Sequence, residues 1–215
     1  MQLEPFGRRL PTPSHELARL HIGLFDQSPA TLLGPHFLED FYYGVLPEAG
    51  LLYGCVARQE DRAVGLVVVT PDANGFLTEA VKRHWGKLAK VMLRHPPNPK
   101  RVYEALQVTG DRHGQRGEAL GEILSLGVLN PDAGGPVSSK VRRRLARELV
   151  ETGVELLADL PVVALVDETN VAARLLYNDL GWQDTERLTK GWAVPQIVFR
   201  REPGLADEGS AAASV

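Results

Sequence analysis

The chain has 215 residues, enough for one ordinary domain or one domain with an insertion. Its apolar share of 44% is ordinary for a globular protein, and a net charge of −3 gives no general attraction to nucleic acid. Cys55 is the only cysteine, which excludes an internal disulfide and a cysteine-based metal cluster.

Residues 1–13 carry Pro5, Gly7, Pro11 and Pro13 and promise at most a short strand. Ser14 can cap a helix running through Leu17, Leu20, His21 and Leu24. Gly34-Pro35 interrupts, and a second amphipathic helix follows with Phe37, Leu38, Phe41, Tyr42 and Val45 on one face, stopped by Pro47. The apolar runs 51–58 and 63–70, parted by Gln59-Glu60-Asp61-Arg62, read as an antiparallel hairpin. Within the first run Cys55 reads as a buried, inert thiol.

Residues 76–107 are helical in pattern, broken at Pro96-Pro97. Phe76, Ala80, Trp85, Leu88 and Met92 make an apolar face, and Lys82, Arg83, Lys87, Lys90, Arg94, Lys100 and Arg101 decorate the rest. Polar, Gly-rich residues 110–118 read as a loop, 122–129 as a buried strand and 131–136 as its turn. Val137, Val141, Leu145 and Leu149 recur every four residues, so a helix is predicted from about 138 to 158. A strand at 161–166, a helix at 170–180 ended by Gly181, and a hairpin of 182–188 with 192–201 complete the pattern. Residues 203–215, rich in Gly, Ala and Ser, read as a disordered tail. Two strands joined by a long helix make a parallel, right-handed βαβ unit, and the flanking hairpins are antiparallel. A mixed α/β sheet with helices on both faces is expected.

The turn from Leu129 to Ser139 follows a strand and opens a helix, where free N–H groups and the helix dipole favour an anion. Gly134 and Gly135 let the backbone approach a ligand, Ser138 and Ser139 can cap the helix or donate to phosphate, and Lys140, Arg142, Arg143 and Arg144 add positive charge. A plain strand-to-helix turn with a serine cap fits the same residues. The six histidines show no metal-ligand spacing, so no metal site is expected. The basic helix at 76–101 suits an anionic membrane surface or nucleic acid, and more simply a solvated face. No signal-peptide pattern opens the chain and no apolar run reaches bilayer length, so no membrane span and a cytoplasmic location are expected.

Residues 121–182 resemble the acetyl-CoA-binding core of the GNAT superfamily of N-acetyltransferases. Glu122-Ile123-Leu124-Ser125-Leu126-Gly127-Val128 resembles the family's fourth strand, and Ala133-Gly134-Gly135-Pro136-Val137-Ser138 falls on its pyrophosphate loop. Val166-Asp167-Glu168-Thr169-Asn170-Val171-Ala172-Ala173 and Leu176-Tyr177-Asn178-Asp179-Leu180-Gly181-Trp182 match its fifth strand and fourth helix. The likeness covers about residues 14–201. It implies an α/β fold with a mixed, mostly antiparallel sheet, a central parallel βαβ pair and helices on both faces. Residues 1–202 would form one domain, with a basic helical insert at about 76–107.

The resemblance also implies acetyl-CoA as co-substrate and direct transfer to a primary amine of a small molecule, an amino sugar or a protein. Leu126, Gly127 and Val128 would hold the pantetheine; Ala133, Gly134, Gly135, Val137, Ser138 and Ser139 the pyrophosphate. Asn170 would contact CoA, although it equally suits a helix cap. Glu122 would be the base, its pKa raised by desolvation, and Tyr177 the acid; a solvated strand end and a core aromatic are their plainer roles. His36 and Tyr42 would line the acceptor pocket. The loop departs from the family pattern: Ala133 replaces Gln or Arg, Pro136 the first motif glycine and Ser138 the second small residue. Pro136 has no N–H to offer a phosphate. A second reading follows, a catalytically inactive GNAT-like module that senses CoA or binds protein or nucleic acid through the basic insert. Nucleic acid is otherwise not expected as a partner, and a homodimer stays open.

Overall fold

The computed structural model describes residues 1–7, 9–107, 119–129, 138–189 and 194–204. Strands β1 (Gln2–Phe6), β2 (Tyr53–Gln59), β3 (Arg62–Thr70), β4 (Gly121–Val128), β5 (Val162–Asp167), β6 (Gln183–Leu188) and β7 (Gln196–Arg201) form one sheet in the order β1-β2-β3-β4-β5-β7-β6. Each neighbouring pair is antiparallel except β4 and β5, which run parallel. Helices α1 (Ser14–Leu24), α2 (Pro29–Leu32), α3 (Phe76–Arg94), α4 (Pro99–Gln107), α5 (Ser139–Leu156) and α6 (Val171–Asp179) complete the chain. The expected mixed α/β fold is therefore present, with the long helix α5 linking the parallel pair.

Strand alternation divides most apolar side chains between two large cores, with Val163 and Val198 in a third, smaller cluster. Tyr53, Cys55 and Val67 join Leu145 and Leu149 of α5 on one face. Val56, Leu66 and Val68 join Leu17 of α1, Phe41 and Phe76 on the other. Cys55 is fully buried and its thiol is pushed up to about 12 by desolvation, as an inert packing residue should be. Arg58 ties the sheet edge together: its Nε donates to Glu4 at 2.6 Å and its Nη1 to Glu16 of α1 at 2.6 Å.

Several local expectations need correction. Ser14 is the first helical residue and not the cap, a position Pro13 takes without a side-chain bond. Ser28 instead caps the short helix α2, which sequence periodicity did not reveal, by accepting from the Thr31 N–H at 3.2 Å. The second amphipathic helix is a π-helical segment, Phe37–Tyr42, with the Tyr43 N–H donating to the Leu38 carbonyl at 2.8 Å. Gly44 permits this winding, because a Cβ there would lie 2.6 Å from the Asp40 carbonyl oxygen. Trp85 is 68% exposed rather than on the apolar face of α3. The helix loses helical geometry at His84, so the register that buries Phe76 and Ala80 does not carry through to Trp85. On α5, Leu145 and Leu149 are buried but Val141, nearer the helix start, is exposed.

His21 is the buried polar centre of the N-terminal core. Its Nδ1 lies 2.7 Å from the Tyr43 hydroxyl and its Nε2 3.0 Å from Ser28 Oγ. Both ring nitrogens are satisfied with the ring neutral, and burial lowers its pKa from 6.5 to about 4. The unfolded chain therefore binds this proton first as pH falls. The stabilisation is complete above pH 6.5 and is lost as pH drops through about 4, amounting to about 3 kcal/mol at most. Urea titrations of the wild type between pH 7 and 4 should show this slope, and the His21→Gln variant should lack most of it.

Candidate active site

The parallel pairing of β4 and β5 is short. Gly121, Glu122 and Ile123 pair with Val162, Val163 and Ala164, and no further pairing joins the two strands. β5 continues to Asp167 against β7, while β4 continues to Val128 against β3. The strands thus part, and among the described residues one backbone edge of β4 from Leu124 onward has no strand beside it. Burial changes at the same point: residues 121–123 are buried and 124–128 are half-buried.

The β3–β4 ladder supplies a local cause. Val69 pairs with Ile123 and Val68 with Ser125, so Leu124 is an extra residue in β4. Such a bulge bends its strand and increases the local twist. Leu126 and Val128 beyond it pack toward α5. Gly127 faces the end of α1, where a Cβ would meet the Phe25 ring at 2.7 Å. The absence of a side chain at Gly127 therefore also serves close helix–strand packing.

At the start of α5, Ser138 Oγ accepts from the Val141 N–H at 3.5 Å, a long capping bond, and Ser139 opens the helix. Ala133, Gly134, Gly135, Pro136 and Val137 lie outside the described residues. Part of the positive charge at this helix start is already engaged. Arg143 pairs with Asp179 at the end of α6, and Arg144 pairs with Glu148 at 2.8 Å. Lys140 is exposed.

Glu122 is 3% exposed, so it is no solvated strand end. It stands opposite Thr70 on β3 and shares that residue's sheet face, away from Ile123 and α5. Tyr177 belongs to the α5-side core and is also 3% exposed. Its ring stacks on Phe199 with centroids 5.5 Å apart and meets Trp182 at 4.9 Å. Burial raises the Tyr177 pKa well above the ordinary phenol value, so the hydroxyl keeps its proton at neutral pH. The two proposed catalytic residues thus belong to opposite faces of the sheet, Glu122 on β4 and Tyr177 against Phe199 of β7. Asn170 is occupied as a helix cap, its Oδ1 accepting from the Ala173 N–H at 3.1 Å.

The N-terminal face carries a cavity of about 380 Å³. Tyr42 lines it, together with Phe37 and Phe41, and Leu124 and Ser125 of β4 reach it from the sheet. His36 is not part of its lining. It stacks on His95 at the end of α3, with ring centroids 3.6 Å apart, and its Nδ1 lies 3.9 Å from Asp40. His36, Asp40 and His95 offer donor atoms within 4.8 Å of one another, all on exposed residues. Sequence spacing could not show this grouping, because His95 comes from the far end of the insert.

No family model matches the chain, and no curated protein matches it. Solved structures do. A protein from Pyrococcus horikoshii is 12% identical with a TM-score of 0.52, covering 95% of this chain and 100% of its own. The aminoglycoside 6′-N-acetyltransferase from Enterococcus faecium is 13% identical with a TM-score of 0.51, covering 94% and 96%. Arabidopsis thaliana NAA60, solved with acetyl-CoA, is 16% identical with a TM-score of 0.51, covering 94% and 98%. The fold is that of the GNAT N-acetyltransferases. The parted strands, the helix start after β4 and the α6 segment lie in the region whose sequence resembles the acetyl-CoA-binding core of that superfamily.

The capping bond at Asn170 has a measurable consequence. Asn170→Ala should lower stability by about 1 kcal/mol in urea denaturation, while Asn170→Asp, which keeps the cap, should lie within about 0.5 kcal/mol of wild type.

Proposed function

We propose that the chain transfers an acetyl group from acetyl-CoA to a primary amine by direct attack in a ternary complex. The gap between β4 and β5 beyond Ile123 and Ala164 carries this reading. A pantetheine arm is an extended chain with amide groups, and the edge of β4 offers it the backbone groups that a neighbouring strand would use. Leu126, Gly127 and Val128 hold the arm in this reading. The loop 133–137, with Ser138 and Ser139 at the start of α5, receives the pyrophosphate.

An ammonium cannot attack until it loses a proton. Glu122 accepts that proton, directly or through water; the amine nitrogen then bonds to the thioester carbonyl carbon, the carbon–sulfur bond breaks, and the second proton lost by the nitrogen passes through water to restore the phenol that protonates the sulfur. Tyr177 serves the departing sulfur from the other face. A thiol titrates near 8.5 and this phenol above 10, so full proton transfer is uphill by more than about 2 kcal/mol. Tyr177 therefore acts first as a hydrogen-bond donor and parts with its proton late. The likeness in fold to acetyltransferases supports the reaction class, and the open β4 edge supports the acetyl donor.

A second reading rests on the loop sequence. Pro136 removes an N–H donor, and Ala133 removes a long polar side chain. A GNAT-shaped module that senses CoA weakly, or that binds partners through the basic insert, would tolerate both changes.

Calorimetric titration with acetyl-CoA, CoA and dephospho-CoA separates the two. The transferase reading expects micromolar binding of acetyl-CoA with turnover of an amine; weak CoA binding without turnover supports the sensing form of the second reading, and no binding at millimolar ligand its partner-binding form. With an accepted amine, Tyr177→Phe should lower kcat about a hundredfold and leave acetyl-CoA affinity within about twofold. Glu122→Gln should lower kcat similarly and remove the acidic limb of its pH profile. Unchanged turnover in either variant would cancel that residue's role.

A further inference from the structure

The acceptor remains the open part of this reading, and the cavity on the N-terminal face bears on it. Four parts of the chain build it: His21 of α1, α2 with the π-helical segment, the insert α3–α4, and the bulged part of β4. The bulge matters because it places both Leu124 and Ser125 along the cavity, where regular alternation would place one. The cavity therefore reaches the point where β4 leaves β5, two residues from Glu122.

The lining is almost wholly apolar. Phe37, Phe41, Leu77, Val81, Leu88 and Met92 dominate it, and no Asp, Glu, Lys or Arg contributes among the described residues. Two of its polar members, His21 and Ser28, are bonded to each other at 3.0 Å. Val81 is 48% and Leu77 38% exposed, so the insert presents apolar side chains that the described protein leaves uncovered. A volume of about 380 Å³ is that of a small-molecule site, not of a packing defect.

We infer that the cavity receives the apolar body of the acceptor, so that the preferred acceptor is a monoamine on an uncharged aliphatic or aromatic frame. This rests on the transferase reading given above. A polyamine or an aminoglycoside would bring several ammonium groups against walls with no counter-charge, and each would lose water without gaining a partner. An acidic acceptor would fare no better, because the walls hold no Lys or Arg among the described residues. A single amine at the sheet end of an apolar body meets neither penalty.

The test uses the full chain with acetyl-CoA and four amines: n-octylamine, 2-phenylethylamine, spermidine and kanamycin. Transfer is followed by thiol release, and amine binding separately by calorimetry. The two apolar monoamines should exceed both polycations in kcat/KM by about tenfold or more. Val81→Asn, an uncharged polar change at a half-exposed wall position, should weaken n-octylamine binding about tenfold and leave acetyl-CoA affinity unchanged. Preferred turnover of spermidine or kanamycin would overturn the inference. If acetyl-CoA does not bind, the transferase reading fails by itself, and the cavity is judged on the amine alone. Saturable n-octylamine binding that Val81→Asn weakens would sustain the apolar site, and binding that is absent or that Val81→Asn leaves unchanged would overturn it.

Discussion

A parallel strand pair normally continues until one strand ends. Here the pairing of β4 with β5 stops after Ile123 and Ala164 while both strands run on, each held by its other neighbour. Backbone N–H and C=O groups along the released edge need partners, whether water, protein or ligand. The extra residue Leu124 bends β4 at that point, and α5 and α6 brace the surroundings through the Arg143–Asp179 pair. Apolar burial of Leu145, Leu149 and Val150 under the sheet fixes α5 against it. The proposed chemistry depends on this interruption of the β4–β5 pairing.

The other face shows how the same sheet is made specific. Arg58 joins β1, β2 and α1, while buried, neutral His21 joins α1 to Tyr43 and Ser28. These bonds hold the N-terminal elements at a fixed distance from the sheet. The insert α3–α4 then closes over the space between with side chains that are apolar toward the cavity and charged elsewhere. Contact of His36 with His95 fastens the end of α3 to the start of the π-helical segment. Acceptor choice, in this account, is a property of the insert and the N-terminal elements, and donor binding a property of β4 and α5.

Much of this was legible in the sequence. Continuous apolar runs at 51–58 and 63–70 identify the hairpin, because both faces of these strands are buried, and the four-residue repeat of Leu145 and Leu149 identifies α5, which buries one face. Residues 166–182 announce β5 and α6, while Asn170 reads equally as a CoA contact and as the helix cap it forms. The bulge at Leu124 was not legible, because an added strand residue looks like any other apolar residue. Nor was the π-helical segment, which needs the hydrogen-bond pattern around Gly44 to be seen. Trp85 was misplaced because a kink at His84 breaks a periodicity that assumes a straight helix. The cavity joins residues from 21 to 125, and no local pattern encodes such a meeting.

The most direct test of the central claim is amide hydrogen exchange along β4, with and without saturating acetyl-CoA. The account predicts that amides within 124–128 slow markedly on addition of the ligand, because the pantetheine arm takes the place of the missing strand. Acetyl-CoA binding that left those amides unchanged, while protecting residues elsewhere, would contradict it.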